Sequence, residues 1–274
     1  MSVEDKIKEA AKLLKQADGL LIGAGAGMGI DSGLPDYRGN QGFWKAYPAL
    51  GQARIEFVRI ANPASFLENP KLAWGFYGHR LQLYRDTIPH RGFHILQELA
   101  ANMEHQAFVY TSNVDGQFQK AGFSENHVAE CHGTVHYMQC AKPCSRTIWS
   151  SEGVVVEVDV QNCLFLGNLP ACIECGHLAR PNILMFNDWQ WVSDLTDLQM
   201  SRLNKWYKKI KNLVVIELGA GTSVPSVRRV CEATKAPFIR INPMEPEVPH
   251  KTDIGLPLNA LDALQKIQAA YLAL

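Results

Sequence analysis

Gly25-Ala26-Gly27-Met28-Gly29-Ile30-Asp31-Ser32-Gly33-Leu34-Pro35-Asp36-Tyr37-Arg38-Gly39 follows closely on the apolar run Gly19-Leu20-Leu21-Ile22. The run reads as a buried strand. Glycines at 23, 25, 27 and 29 let the chain turn sharply and come close to a ligand with no Cβ in the way. A turn from a strand into a helix N-terminus presents backbone N–H groups to a pyrophosphate. Asp36 and Arg38, a few residues on, are groups suited to a nucleotide. No Gly-x-Gly-x-x-Gly can be drawn through these glycines, because Met28, Ile30 and Ser32 stand where a third glycine is needed. The ordinary dehydrogenase fingerprint is therefore excluded.

Outward from this turn, five short apolar runs read as buried parallel strands, at 20–24, 107–111, 183–186, 213–218 and 238–241. Helical spacing lies between and beyond them, at 3–16, 94–103, 200–210 and 260–274. Alternation of strand and helix predicts an α/β fold, a Rossmann-like doubly wound parallel sheet with its ligand at the carboxyl ends of the strands. Two stretches break the alternation and are expected to form a smaller inserted domain. Residues 42–103 read as a helical module rich in aromatics, and 136–178 as a zinc module with short β-rich runs at 154–158 and 163–166. The Rossmann-like unit is then 1–41 with 104–135 and 179–274.

Composition narrows the function. The chain has 274 residues, 27 Lys plus Arg against 27 Asp plus Glu, so no charge imbalance argues for nucleic acid or a membrane surface. No apolar run approaches membrane-spanning length, and the acidic start Glu4-Asp5 reads as no secretory signal. Seven cysteines, an odd number, argue against a disulfide framework and for a reduced, cytoplasmic protein.

Four of those cysteines form two close pairs, Cys140 with Cys144 and Cys172 with Cys175. Two tight turns carrying four thiolates suit one tetrahedral zinc, closed to water and therefore structural. Buried thiols that merely pack are the plainer alternative. His132 stands before Gly133, in a segment that leads directly to the first of these cysteines. An isolated histidine is usually structural, yet its ordinary pKa near neutrality also suits a general base. Thr111-Ser112-Asn113-Val114-Asp115 closes the second predicted strand. Its side chains can reach ribose hydroxyls and a bound water, or simply cap the helix that follows.

In this order the segments resemble the sirtuins, a family that consumes NAD as a co-substrate. The glycine turn is similar to the family's G-A-G-x-S-x-x-S-G-h-P-D-F-R-G, with Gly29 where Ser is usual, and 111–115 to T-Q-N-h-D, with Ser112 for Gln. His132-Gly133-Thr134 resembles H-G-[ST], and 178–188 resembles L-R-P-x-h-V-x-F-G-E, ending here in Asn187-Asp188. Gly221-Thr222-Ser223 and Asn242 extend the likeness over almost the whole chain. The resemblance implies an NAD-dependent protein-lysine deacylase that releases nicotinamide and O-acyl-ADP-ribose from an acylated protein or peptide. It implies His132 as general base and Asn113 as the residue positioning a hydroxyl or water. Cofactor contacts would come from Gly25, Ala26, Gly27, Asp36, Tyr37, Arg38, Ser112, Asn113, Asp115, Gly221, Thr222, Ser223 and Asn242. The peptide would lie as an added strand along the segment holding Ile183 and Phe186. Tyr77 and Arg80, three apart, match a Tyr-x-x-Arg pair that accepts succinyl or malonyl groups in some sirtuins; a core aromatic beside a solvated Arg is the plain alternative. Protein ADP-ribosylation and a catalytically weak NAD sensor are the competing functions.

Overall fold

The computed structural model describes residues 1–35 and 39–274, with side chains of the second stretch from residue 42 onward. Helix α1 (Val3–Gln16) opens on Ser2, whose hydroxyl and Asp5 form a reciprocal capping box. It leads into β1 (Gly19–Ala24), which ends in the glycine turn and a 3-10 helix over Ala26–Ser32. Five helices follow: α2 (Gly39–Ala46), α3 (Pro48–Gln52), α4 (Phe57–Ile60), α5 (Pro63–Glu68) and α6 (Pro70–Asp86). Then come α7 (Arg91–Ala100), β2 (Ala107–Thr111), α8 (Gln117–Lys120), β3 (Val128–Glu130) and β4 (Gly133–Cys140). Three short strands, β5 (Trp149–Ser150), β6 (Val158–Asp159) and β7 (Leu164–Phe165), precede β8 (Ala179–Ile183). The chain closes with α9 (Asp194–Tyr207), β9 (Leu213–Leu218), α10 (Ser226–Ala233), β10 (Phe238–Ile241), β11 (Ile254–Leu256) and α11 (Ala260–Leu272).

Six strands form one all-parallel sheet in the order β11-β10-β9-β1-β2-β3. β1 lies between β9 and β2, with Ile22 level with Ile216 on one side and Val109 on the other. Strand alternation sends Leu20, Ile22 and Ala24 to a core shared with α1, α7 and α11. Leu21 faces the opposite way, with Phe108, Tyr110 and Val215, beneath α9 and α10. Both faces are covered, so the doubly wound α/β class is the observed one.

Two expectations differ. Residues 183–186 are not a parallel strand. Instead β8 pairs antiparallel with β4 in a separate three-stranded sheet, β5-β4-β8. The apolar run there was bounded by its neighbours' polarity, but Arg180 and Asn182 are themselves fully buried within the strand. The two edge strands of the main sheet, β3 and β11, are three residues long and give too little periodicity to recognise. Helix α7 also departs from its grouping with 42–103. Phe93, Ile95, Leu96 and Leu99 join the core beneath α1 and α11, whereas Phe43, Phe66, Trp74, Phe76 and Tyr77 build a second core with β4, β8 and the β6–β7 hairpin.

Glycine 23 sets the height of α10 over the sheet. A Cβ there would lie 2.3 Å from Cys231 Sγ and 3.0 Å from Val227 Cγ1. Gly23→Ala is expected to destabilise the fold by about 1–3 kcal/mol through overpacking. Urea unfolding of Gly23→Ala, Cys231→Ala and the double variant checks this, with the double variant recovering part of the loss.

Candidate active site

The chain leaves β1 toward β2 and β3 on one side and returns through β9, β10 and β11 on the other. The carboxyl ends of β1 and β9 are therefore the point where strand order reverses, the place where open α/β sheets bind ligands. Here the two loops are joined. Gly25 N donates to Leu218 O at 2.9 Å and Gly27 N to Gly219 O at 3.1 Å. A Cβ on Gly25 would stand 2.7 Å from Ala220 Cα, and one on Gly27 2.6 Å from Gly219 Cα. These glycines thus admit a neighbouring loop, and their N–H groups are already engaged within the protein. At Gly29 a Cβ would meet Leu34 Cδ1 at 2.9 Å, so Leu34 fills the space a larger residue needs. Asp36, Tyr37 and Arg38 lie outside the described residues, and Ala26 begins the 3-10 helix at an exposed position.

The segment after β2 is fastened to the same corner. Ser112 N and Thr111 Oγ1 both donate to Ala24 O, at 3.2 and 2.8 Å, and Asn113 Nδ2 donates to Gly25 O at 3.0 Å. Helix capping is not their work, because α8 starts after Gly116 with no side-chain cap. Asp115 is buried and accepts from Gln117 N; its burial pushes the carboxyl up to about 6. Its carbonyl meets His136 Nε2 at 2.9 Å.

His132 occupies the turn between β3 and β4. Cys131 N donates to Thr111 O at 2.8 Å, which holds the turn against the end of β2. The imidazole Nε2 lies 3.1 Å from Ser226 Oγ. Burial holds the ring's pKa below the usual histidine value, partly offset by a hydrogen bond to the Ser112 backbone. Next to it, Glu130 is buried; loss of solvation raises its carboxyl to about 7, against bonds from Gln199 and other side chains.

The second loop is held by groups the motif reading does not include. Arg228 Nε donates to Ala220 O, and its Nη2 donates to Glu245 O and Oε2. Thr222 Oγ1 donates to Glu245 Oε1 at 3.0 Å, while Gly221 and Ser223 are exposed. Asn242 is buried, donating to Ala220 O and accepting from Met244 N and Glu245 N. A charged residue inside an otherwise amphipathic helix start, Arg228, was the available signal.

Tyr77 is 1% exposed, stacked on Phe66 with ring centroids 5.5 Å apart, and its burial pushes the phenol up to about 12. Arg80 is also buried, donating from Nε to Tyr84 OH at 2.8 Å, with its guanidinium 5.9 Å from the Tyr77 ring. Ile183 closes β8 opposite Gly133. Phe186 donates its N–H to Ala61 O and sets its ring edge-on to Phe57. The loop carrying Phe186 is pinned by a fully buried pair, Arg180 Nη2 to Asp188 Oδ2 at 2.8 Å.

Away from this corner, the Sγ atoms of Cys140, Cys144, Cys172 and Cys175 all lie within 4.8 Å of one another. The pairs Cys140–Cys175 and Cys144–Cys172 are 3.8 and 3.7 Å apart. Zn–S bonds of about 2.3 Å in a tetrahedron require sulfurs roughly 3.8 Å apart, so the donor set fits one zinc ion. His177 is not part of the cluster among the described residues.

The Sir2 family model matches residues 25–225, most of the chain and every segment just described up to the start of α10. The chain belongs to the Sir2 family. An NAD-dependent protein deacylase of Aquifex aeolicus is 27% identical over 247 residues, covering 89% of this chain and 91% of that one. An NAD-dependent protein deacetylase of Saccharolobus solfataricus is 36% identical over 165 residues, and an NAD-dependent protein deacylase of Thermococcus sibiricus 30% over 182. Those two matches take in 60% and 66% of this chain, and 58% and 65% of the relatives' own length. A solved Sir2 homolog–NAD complex superposes with a TM-score of 0.72 at 22% identity, over 97% of this chain and 94% of that one, a likeness of fold.

For this Sir2-family chain, purified protein is expected to carry one zinc per molecule. Cys144→Ser together with Cys172→Ser should abolish it and lower the melting temperature, which metal analysis and calorimetry check.

Proposed function

We propose that the chain is an NAD-dependent protein-lysine deacylase that releases nicotinamide and O-acyl-ADP-ribose. One observation carries the proposal. His132, Ser112 and Asn113 are gathered with the Gly25–Gly27 turn at the point where strand order reverses, and Leu218 to Ala220, which lead into the Gly221–Ser223 loop, join the turn there. Relatives named as NAD-dependent protein deacylases over nearly their whole length support it. The smaller unit built by helices α2–α6 with the zinc module would form the other wall of the cleft. A four-cysteine zinc site, which needs reduced sulfurs, favours a reduced, cytoplasmic setting.

Bound NAD supplies an electrophilic ribosyl carbon with nicotinamide as its leaving group. His132, kept neutral by burial, accepts a proton from a ribose hydroxyl at Nε2. Asn113, fixed through Nδ2 to the Gly25 carbonyl, leaves its Oδ1 to orient a hydroxyl or water. Gly25 and Gly27 offer close backbone approach to the pyrophosphate rather than free donors, with Ala26 between them and Asp36, Tyr37 and Arg38 further along the sequence. Asp115 and Asn242 shape their loops through the bonds given above, and Ser112, Gly221, Thr222 and Ser223 line the cofactor's path. Ile183 and Phe186 border the peptide, on a loop that Arg180 and Asp188 hold in place. Tyr77 and Arg80 belong to the acyl end, where a carboxylate-bearing acyl group would require Arg80 to turn toward it.

Acetyl- and succinyl-lysine peptides incubated with NAD are expected to lose the acyl mass, and the faster peptide reports the acyl preference. His132→Ala should lower this turnover about 100-fold or more. Nicotinamide release with the acyl mass unchanged, or an added ADP-ribose, would instead mark ADP-ribosyl transfer. Intact NAD and peptide would mark a sensor. Because His132 must be neutral and its folded pKa lies below 6.5, activity should hold through neutral pH. It should fall only as the pH drops through a midpoint under that value, as a pH–rate profile of kcat/KM will show.

A further inference from the structure

Ser226 brings a hydroxyl to His132 that no motif in the sequence assigns. Its Oγ lies 3.1 Å from His132 Nε2, across 94 residues of chain. Ser226 is the first residue of α10, directly after Pro225. The first turn of that helix is held from several directions. Val227 and Cys231 rest where Gly23 has no Cβ, Arg228 donates to Ala220 O and to the backbone O and Oε2 of Glu245, and Arg229 N donates to Pro225 O. The hydroxyl is therefore delivered to the imidazole by a braced helix rather than by a free loop.

A neutral imidazole has one N–H and one acceptor nitrogen. Burial disfavours the charged ring, and the contact with the Ser112 backbone calls for a ring donor. We infer that Ser226 is a positioning residue: it donates its hydroxyl to Nε2 and holds His132 in the rotamer and tautomer whose acceptor nitrogen faces the cleft. A ribose hydroxyl comes to the same side of the ring to be deprotonated, and Oγ stays beside it within reach of the imidazole. Because a hydroxyl both donates and accepts, it also receives a hydrogen bond from the ring once His132 is protonated. The inference rests on the reading of His132 as the base.

The test compares wild type, Ser226→Ala and Ser226→Thr in NAD-dependent deacylation of an acetyl-lysine peptide, with NMR of the His132 ring nitrogens in the free protein. Ser226→Ala should lower kcat about fivefold to tenfold, the effect of one hydrogen bond. The KM for peptide should stay within twofold, and the Nε2 resonance should shift. Ser226→Thr, which keeps the hydroxyl, should restore most of kcat and the resonance. An unchanged kcat and resonance in Ser226→Ala would overturn the inference. Equal losses in both variants, with a lowered melting temperature, would also overturn it and assign Ser226 to seating α10. If wild type removes no acyl group, the deacylase reading fails by itself, and the His132 resonances still decide whether Ser226 holds the ring.

Discussion

The close approach of two backbone loops at the middle of the sheet governs the geometry of the site. Gly27 and Gly219 meet with no side chain between them, and two backbone hydrogen bonds join the ends of β1 and β9. Everything chemical is hung from this junction. Asn113 reaches it through the Gly25 carbonyl, Thr111 and Ser112 through the Ala24 carbonyl, and Asn242 through the Ala220 carbonyl. Side chains that could have been mobile thus inherit the rigidity of the two central strands. Such preorganisation is what allows fixed dipoles to act on a developing charge without first rearranging.

Burial tunes the same region electrostatically. His132 loses water and is kept from charging, while Asp115 and Glu130 are pushed toward their neutral forms. Burial thus disfavours the charged form of three titratable groups near one turn, bringing the two carboxyls up toward neutrality and holding the imidazole down. His132 and Asp115 carry hydrogen bonds that offset the loss of water, whereas Glu130 is bonded through Oε2 while its Oε1 has no partner. The charged network lies further out, where Arg228 and Glu245 brace the second loop.

Much of this was legible in the sequence, for physical reasons. Central parallel strands are buried on both faces, so 20–24, 107–111, 213–218 and 238–241 stand out as apolar runs ending in turn residues. Cysteine pairs and His132-Gly133 are chemically distinctive at any position. Edge strands β3 and β11 were not legible, since three residues hold no period, and β8 was hidden by Arg180 and Asn182 in its interior. Helix α7 could be read as a helix but not assigned to a core, because an apolar face does not say which partner it meets. Most elusive was the contact of Ser226 with His132, which depends on how far α10 sinks toward Gly23. The glycine turn itself was recognisable, yet its spacing could not tell a gap left for a ligand from one left for a neighbouring loop.

The buried pair of Arg180 and Asp188 has an evolutionary reading. Both side chains are shut away from solvent, and together they fix the loop that carries Phe186. Changing either alone strands a charge in the interior, at a cost of roughly 3–5 kcal/mol. An apolar pair of matching volume could be tolerated, but every single step toward it crosses an unstable intermediate. The loop's shape is thus insulated from gradual drift, and diversification of the surface beside it has to proceed through the exposed positions, such as Asn187 and Trp189.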